Sequence, residues 1–190
     1  MNKLLLASAL AVAFGAAAFT ASAATNNPVS NNGTDGTIQI NGTVIAQTCK
    51  VDGKSAGSAD AKTVTLPDVL TSQLASPGQT AGDTPFSIAV TGCDAALSSV
   101  HTYFTGTHIN TTNGRLDNAT GTATNVQVQL LNNDNSVISL NGADGSQSSE
   151  TVNLTSGNAT LDYKARYYAN GAAAGAGSVA TSVAFTMVYQ

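Results

Sequence analysis

The side chains that could do chemistry are few: two cysteines, two histidines, one glutamate and a large stock of serines and threonines. Cys49 and Cys93 are the only thiols, and no C-x-x-C is present, so a zinc site would need further ligands. His101 and His108 lie far from both cysteines in sequence, and their seven-residue separation does not bring them to one metal by helical spacing. An isolated cysteine pair in an oxidising compartment forms one disulfide, which outweighs the metal reading here. That bridge closes a loop of about 45 residues, worth on the order of 4 kcal/mol in the chain-entropy model. Glu150 sits in a polar stretch beside Ser148 and Ser149, and there is no G-x-S-x-G, paired-carboxylate motif or phosphate-binding glycine loop. Nothing marks one hydroxyl as a nucleophile. The chain is read as non-enzymatic, with no cofactor, metal or small-molecule substrate, its Ser and Thr covering a sheet surface.

The compartment follows from the first residues. Met1 to Ala23 carry Lys3, an apolar Ala-rich run and a closing Ala21-Ser22-Ala23, the small-x-small pattern of a cleaved secretory signal. A membrane-tethering helix would want a longer apolar run and flanking charge, whereas Thr25-Asn26-Asn27 follow here. Cleavage after Ala23 leaves Ala24 to Gln190, a length suited to one domain. Only 9% of the residues are charged, and without Lys3 six Lys/Arg stand against eleven Asp/Glu. A mildly acidic chain has no electrostatic footprint for nucleic acid or an anionic membrane.

Any site must be held by strands, because helical periodicity is almost absent. Thr37 to Val44, Thr63 to Leu66, Phe86 to Val90, Asn125 to Leu130, Val137 to Leu140, Thr151 to Leu154, Thr160 to Ala169 and Val179 to Gln190 are predicted as strands. Tyr103-Phe104 and His108-Ile109 give weaker strand signals. Asn132-Asn133-Asp134-Asn135, Asn141-Gly142 and Ser156-Gly157-Asn158 supply turns between them. One helical turn or two is expected near Val69 to Ala75. Many short strands divided by turn signals indicate an antiparallel β-sandwich. Ala24 to Asp35, rich in Asn, Thr and Gly, is expected to be disordered on its own.

Gly36, Ile38, Ile40, Gly42 and Val44 share one face of an extended segment. Alternation alone leaves two readings open. It is either the ordinary first strand of the sandwich with a glycine bulge, or a strand whose side chains plug pockets of unequal depth.

Gly36-Thr37-Ile38-Gln39-Ile40-Asn41-Gly42-Thr43-Val44, with Cys49 five residues later, resembles the opening of type 1 fimbrial major subunits of the chaperone–usher class. The resemblance continues through Phe86 to Cys93, Ala123 to Leu130 and Leu140-Asn141-Gly142. It closes with Ala165-Arg166-Tyr167-Tyr168-Ala169 and with Phe185 to Gln190, including the penultimate Tyr189. It implies an incomplete immunoglobulin-like sandwich lacking its final strand, which another subunit's donor strand completes. Residues 1–23 would then be the signal, 24–44 the N-terminal extension with the donor strand, and 45–190 the pilin domain.

On the same grounds Ile38, Ile40 and Val44 would be donor plugs and Gly42 would meet a shallow pocket. Val183, Phe185, Met187 and Tyr189 would border the acceptor groove, by their side chains or by their backbone edge. The implied partners are identical subunits in a homopolymer, a periplasmic chaperone and an outer-membrane usher, with minor pilins and a tip adhesin as further members of the fibre. The implied location is the cell surface, reached through the periplasm. A minor or adaptor pilin of the same system, and a monomeric secreted binding module on a complete sandwich, are the rival expectations.

Overall fold

The computed structural model describes residues 39–40, 49–55, 57–58 and 60–190. The expected signal, the tail 24–35, and Gly36, Ile38, Gly42 and Val44 of the expected donor strand lie outside the described residues. Ile40 is described, and it is 89% exposed.

Alternating sequence becomes nine strands among the described residues: β1 (Lys50–Val51), β2 (Lys54–Ser55), β3 (Thr80–Thr91), β4 (Ser99–Thr105), β5 (Leu116–Asp117), β6 (Val126–Asn132), β7 (Thr151–Asn153), β8 (Ala159–Ala169) and β9 (Ala184–Tyr189). They form two antiparallel sheets, ordered β2-β1-β3-β8-β6-β5 and β7-β4-β9. The period-2 rule is cleanest in β8, where Leu161, Tyr163 and Ala165 are buried in the core between the sheets. Central β6 is buried on both faces. Its outward Gln127 and Gln129 are satisfied there, Gln127 Nε2 donating to Asp117 Oδ1 (2.7 Å) and Arg166 donating from Nε and Nη2 to Gln129 Oε1 (3.0 and 2.9 Å).

The strand ends follow local chemistry. β3 breaks register between Ala81 and Thr84, where Gly82 takes a φ of +74° that an L side chain rarely adopts. Pro85 is tolerated because β1 pairs only with Val90 and Thr91, leaving this part of β3 at the sheet edge. After β6, Asp134 Oδ1 accepts the Ser136 N–H (2.8 Å) and tightens the expected turn.

Several expected strands are shorter than periodicity suggests. Val137 to Leu140 contributes one bridge, Leu131 to Val137, because its backbone is drawn to Leu130, Gly114 and Gln147. Residues 63–66 pair with no strand among the described residues, and 179–183 lie outside β9. The helical turn is a 3-10 turn at Thr71–Leu74.

The six-stranded sheet is broader than its partner. Ile88, Val90, Leu130, Leu161 and Tyr163 face Val100 and Phe104 across the core, and a disulfide joins Cys49 to Cys93 beside it. Three strands do not cover six.

Candidate functional site

The uncovered strip lies beside β9. This strand is bonded along one edge only, with Ala184 opposite Thr105 and Tyr189 opposite Val100 on β4. Among the described residues no strand pairs with its other edge. Val183, Phe185, Met187 and Tyr189 turn inward onto the core yet stay half-buried, while Ala184 and Thr186 between them are exposed. Burial pushes the Tyr189 phenol above its ordinary pKa.

Residues 62–69 form the facing bank. Val64 and Leu66 pack half-buried on the core, with Thr65 exposed between them. Among the described residues this stretch makes no backbone–backbone hydrogen bond. The two banks run in opposite directions. Lys62 Nζ donates to the Ser87 carbonyl, near the end of β3, whereas Val69 packs with Ala81 and Tyr167 near its start. β4 begins eight residues after Thr91, so Tyr189, opposite Val100, lies at the Lys62 end.

Between the banks is a groove of about 910 Å³, floored by Phe86, Ile88, Phe104, Leu116, Val128 and Leu130. Its Val179–Ala180 end is fastened by Asn118, whose Oδ1 accepts from Gly121 N (3.1 Å) and Ala180 N (2.9 Å) while Nδ2 donates to the Ala123 (3.0 Å) and Ser178 (3.1 Å) carbonyls. A Cβ at Gly121 would collide with the Ser178 carbonyl oxygen, so only glycine fits where these loops cross.

An apolar trough between two unpaired backbone edges is suited to an extended peptide: ladder hydrogen bonds supply affinity and alternate side chains supply register. Of the residues singled out from sequence, Val183, Phe185, Met187 and Tyr189 are brought together in the groove wall. Their side chains line the groove, and among the described residues no strand pairs with the outer backbone edge of β9. Val64 and Leu66 were legible as an alternating pair. The floor was not, because its residues come from strands far apart in sequence. His101 and His108 are separated, His101 Nε2 lying 2.8 Å from Asp144 Oδ1 and His108 Nδ1 3.2 Å from Ser182 Oγ.

The family model for the FimA type-1 fimbrial protein, A, matches residues 66–190. The chain belongs to the type-1 fimbrial protein family. It is 42% identical to the F17 fimbrial protein of Escherichia coli, over 82% of this chain and 88% of that one. It is 41% identical to the major fimbrial subunit SMF-1 of Stenotrophomonas maltophilia, over 85% of this chain and 96% of that one. The crystal structure of the P pilus rod subunit PapA superposes with a TM-score of 0.58 at 21% identity, covering 75% of this chain and 99% of PapA, a likeness of fold. This fimbrial subunit is therefore a structural protein of the cell surface on an incomplete immunoglobulin-like sandwich.

Proposed function

We propose that this chain is the major, fibre-forming subunit and that it polymerises by donor-strand exchange. The observation that carries this reading is the open apolar groove beside the unpaired edge of β9. Residues Gly36 to Val44 of one copy enter the groove of the next, with Ile38, Ile40 and Val44 as plugs and Gly42 over a shallow position. Nine residues in strand conformation reach about 30 Å, which suits a bank running from Val179 to Tyr189. Donor and acceptor are different surfaces of one molecule, so the contact is head-to-tail and builds an open filament. An uncovered core beside a free edge promotes aggregation, so a periplasmic chaperone supplies a temporary strand before an outer-membrane usher passes the subunit into the fibre. Likeness to SMF-1, a protein named as a major subunit, favours the major role.

Gly42→Leu tests the donor role. It leaves the subunit's own groove untouched, so strand acceptance should persist while fibre assembly, followed by light scattering and electron microscopy, falls sharply. Deleting residues 24–41 should abolish donation altogether. Long fibres from the deleted protein, or a stable soluble monomer of the full chain without a partner strand, would sink the reading.

A further inference from the structure

The chain has two methionines, Met1 and Met187, and Met187 is the one among the described residues. Both cysteines are joined in the Cys49–Cys93 bridge, so no thiol competes for an oxidant. The Met187 thioether is therefore the sulfur of the domain most open to two-electron oxidation. It also lies where a small reagent can reach it. Met187 lines the groove and is half-buried, between Phe185 and Tyr189 on the inward row of β9.

One side of this sulfur is already occupied. The Tyr163 hydroxyl donates to Thr102 Oγ1 at 2.8 Å, which leaves Thr102 its own proton to give. Thr102 Oγ1 donates it to Met187 Sδ at 3.7 Å, the thioether acting as a weak acceptor. Thr102 is fully buried, so the lone pair turned toward it is out of an oxidant's reach. A thioether has a second lone pair on its opposite side. With the two carbons on sulfur held in place, each lone pair leads to a different sulfoxide epimer.

We propose that Met187 is a reversible oxidation site, and that the folded subunit yields mainly one sulfoxide epimer because Thr102 masks one face of the sulfur. The free lone pair attacks an oxygen of hydrogen peroxide. An S–O bond forms as the O–O bond breaks, the sulfur gives up two electrons, and the second oxygen leaves as water. The product sets a polar oxygen among the apolar side chains of the groove, including Ile88, Phe104 and Leu130. An epimer-specific sulfoxide reductase returns the thioether. The epimer preference depends on the folded geometry alone. A second consequence rests on the donor-strand reading: an apolar plug meets an oxygen that it cannot hydrogen-bond, so the oxidised subunit accepts a strand poorly.

Hydrogen peroxide treatment of the purified full chain, folded and in urea, tests this by peptide mass spectrometry. The peptide holding Met187 should gain one oxygen in both states. Its two epimers, separated by chromatography, should differ about fivefold in the folded protein, the scale of one hydrogen bond, and be near even in urea. Thr102→Val should bring the folded ratio toward even. Equal ratios in folded and unfolded wild type overturn the masking, which keeps the test decisive if Thr102→Val folds poorly. Oxygen gained in urea but not in the folded protein overturns the site. In light scattering, the oxidised chain should assemble about tenfold more slowly, the scale of one polar group buried without a partner. The matching reductase should restore the rate, and Met187→Leu should assemble equally with and without peroxide. An oxidised chain that assembles at the untreated rate, while Gly42→Leu is blocked, overturns the second consequence. If Gly42→Leu also assembles at the wild-type rate, the donor-strand reading itself fails, and the epimer ratio still decides the site.

Discussion

Tyr163 stands where the two sheets meet. Its hydroxyl donates to Thr102 Oγ1 at 2.8 Å across the core, and its ring packs tilted against Phe86 and edge-on against Phe104, with centroids 5.5 and 5.6 Å away. Burial, partly offset by the Thr102 hydrogen bond, pushes its phenol from the ordinary 10.0 up to about 12. The folded pKa lies above the unfolded one, so the neutral phenol adds stability that is complete below pH 10 and lost as pH rises towards 12. Tyr167 and Tyr189, also raised by burial, act in the same direction. The urea midpoint should therefore fall between pH 10 and 12. Tyr163→Phe should lower the midpoint at pH 7 by the equivalent of about 1 kcal/mol, through the lost hydrogen bond, and make the alkaline fall shallower. An unchanged alkaline slope would assign the loss to other groups.

β4 carries the narrower sheet and needs a neighbour on each side. β7 supplies one only for Ser99 to His101, and beyond it the side chain of Gln147 takes over. Its Oε1 accepts the Phe104 N–H at 2.9 Å, while its Nε2 donates to the Phe104 and Leu140 carbonyls at 2.7 and 2.8 Å. One buried amide thus stands in for a strand's peptide group. Gln147→Leu would leave the Phe104 N–H and these carbonyls unpaired, with an expected cost of about 2–3 kcal/mol. Denaturant midpoints would give the loss, and amide exchange at Phe104 should lose its protection. A variant as stable as the parent would mean that another group replaces the amide. Because β4 is the only strand bonded to β9 among the described residues, the same loss should loosen the groove's wall.

For the molecule as a whole, stability and function pull against each other. The groove leaves Phe185, Met187 and Tyr189 half-buried, so the isolated subunit forgoes burial that an added strand would provide, at about 25 cal/mol for each Å² covered. The Cys49–Cys93 bridge, spanning 44 residues, offsets part of that deficit by constraining the unfolded chain. Reducing it should cost about 2–4 kcal/mol, measured as the difference in urea midpoint between oxidised and reduced protein. Equal midpoints would show that the sandwich holds this region without the bridge. A subunit completed by a neighbour's strand should lose less on reduction, since the groove is then filled.

The sequence by itself determined the all-β class, the disulfide pair and the alternating faces of β8 and β9, because a period of two and an isolated cysteine pair are local signals. It also carried the family likeness, spread over motifs in chain order. It did not reveal that residues 63–66 pair with no strand among the described residues, that 179–183 lie outside β9, nor that Gln147 would serve as part of a strand. Those outcomes depend on which backbone groups find partners across 40 residues or more, a matter of non-local hydrogen bonding. Nor could it say whether β9 offers side chains or a backbone edge. Only the tertiary structure decided where β9 lies: a three-stranded sheet laid over six leaves its inner side chains lining a groove and, among the described residues, its outer backbone edge without a strand partner.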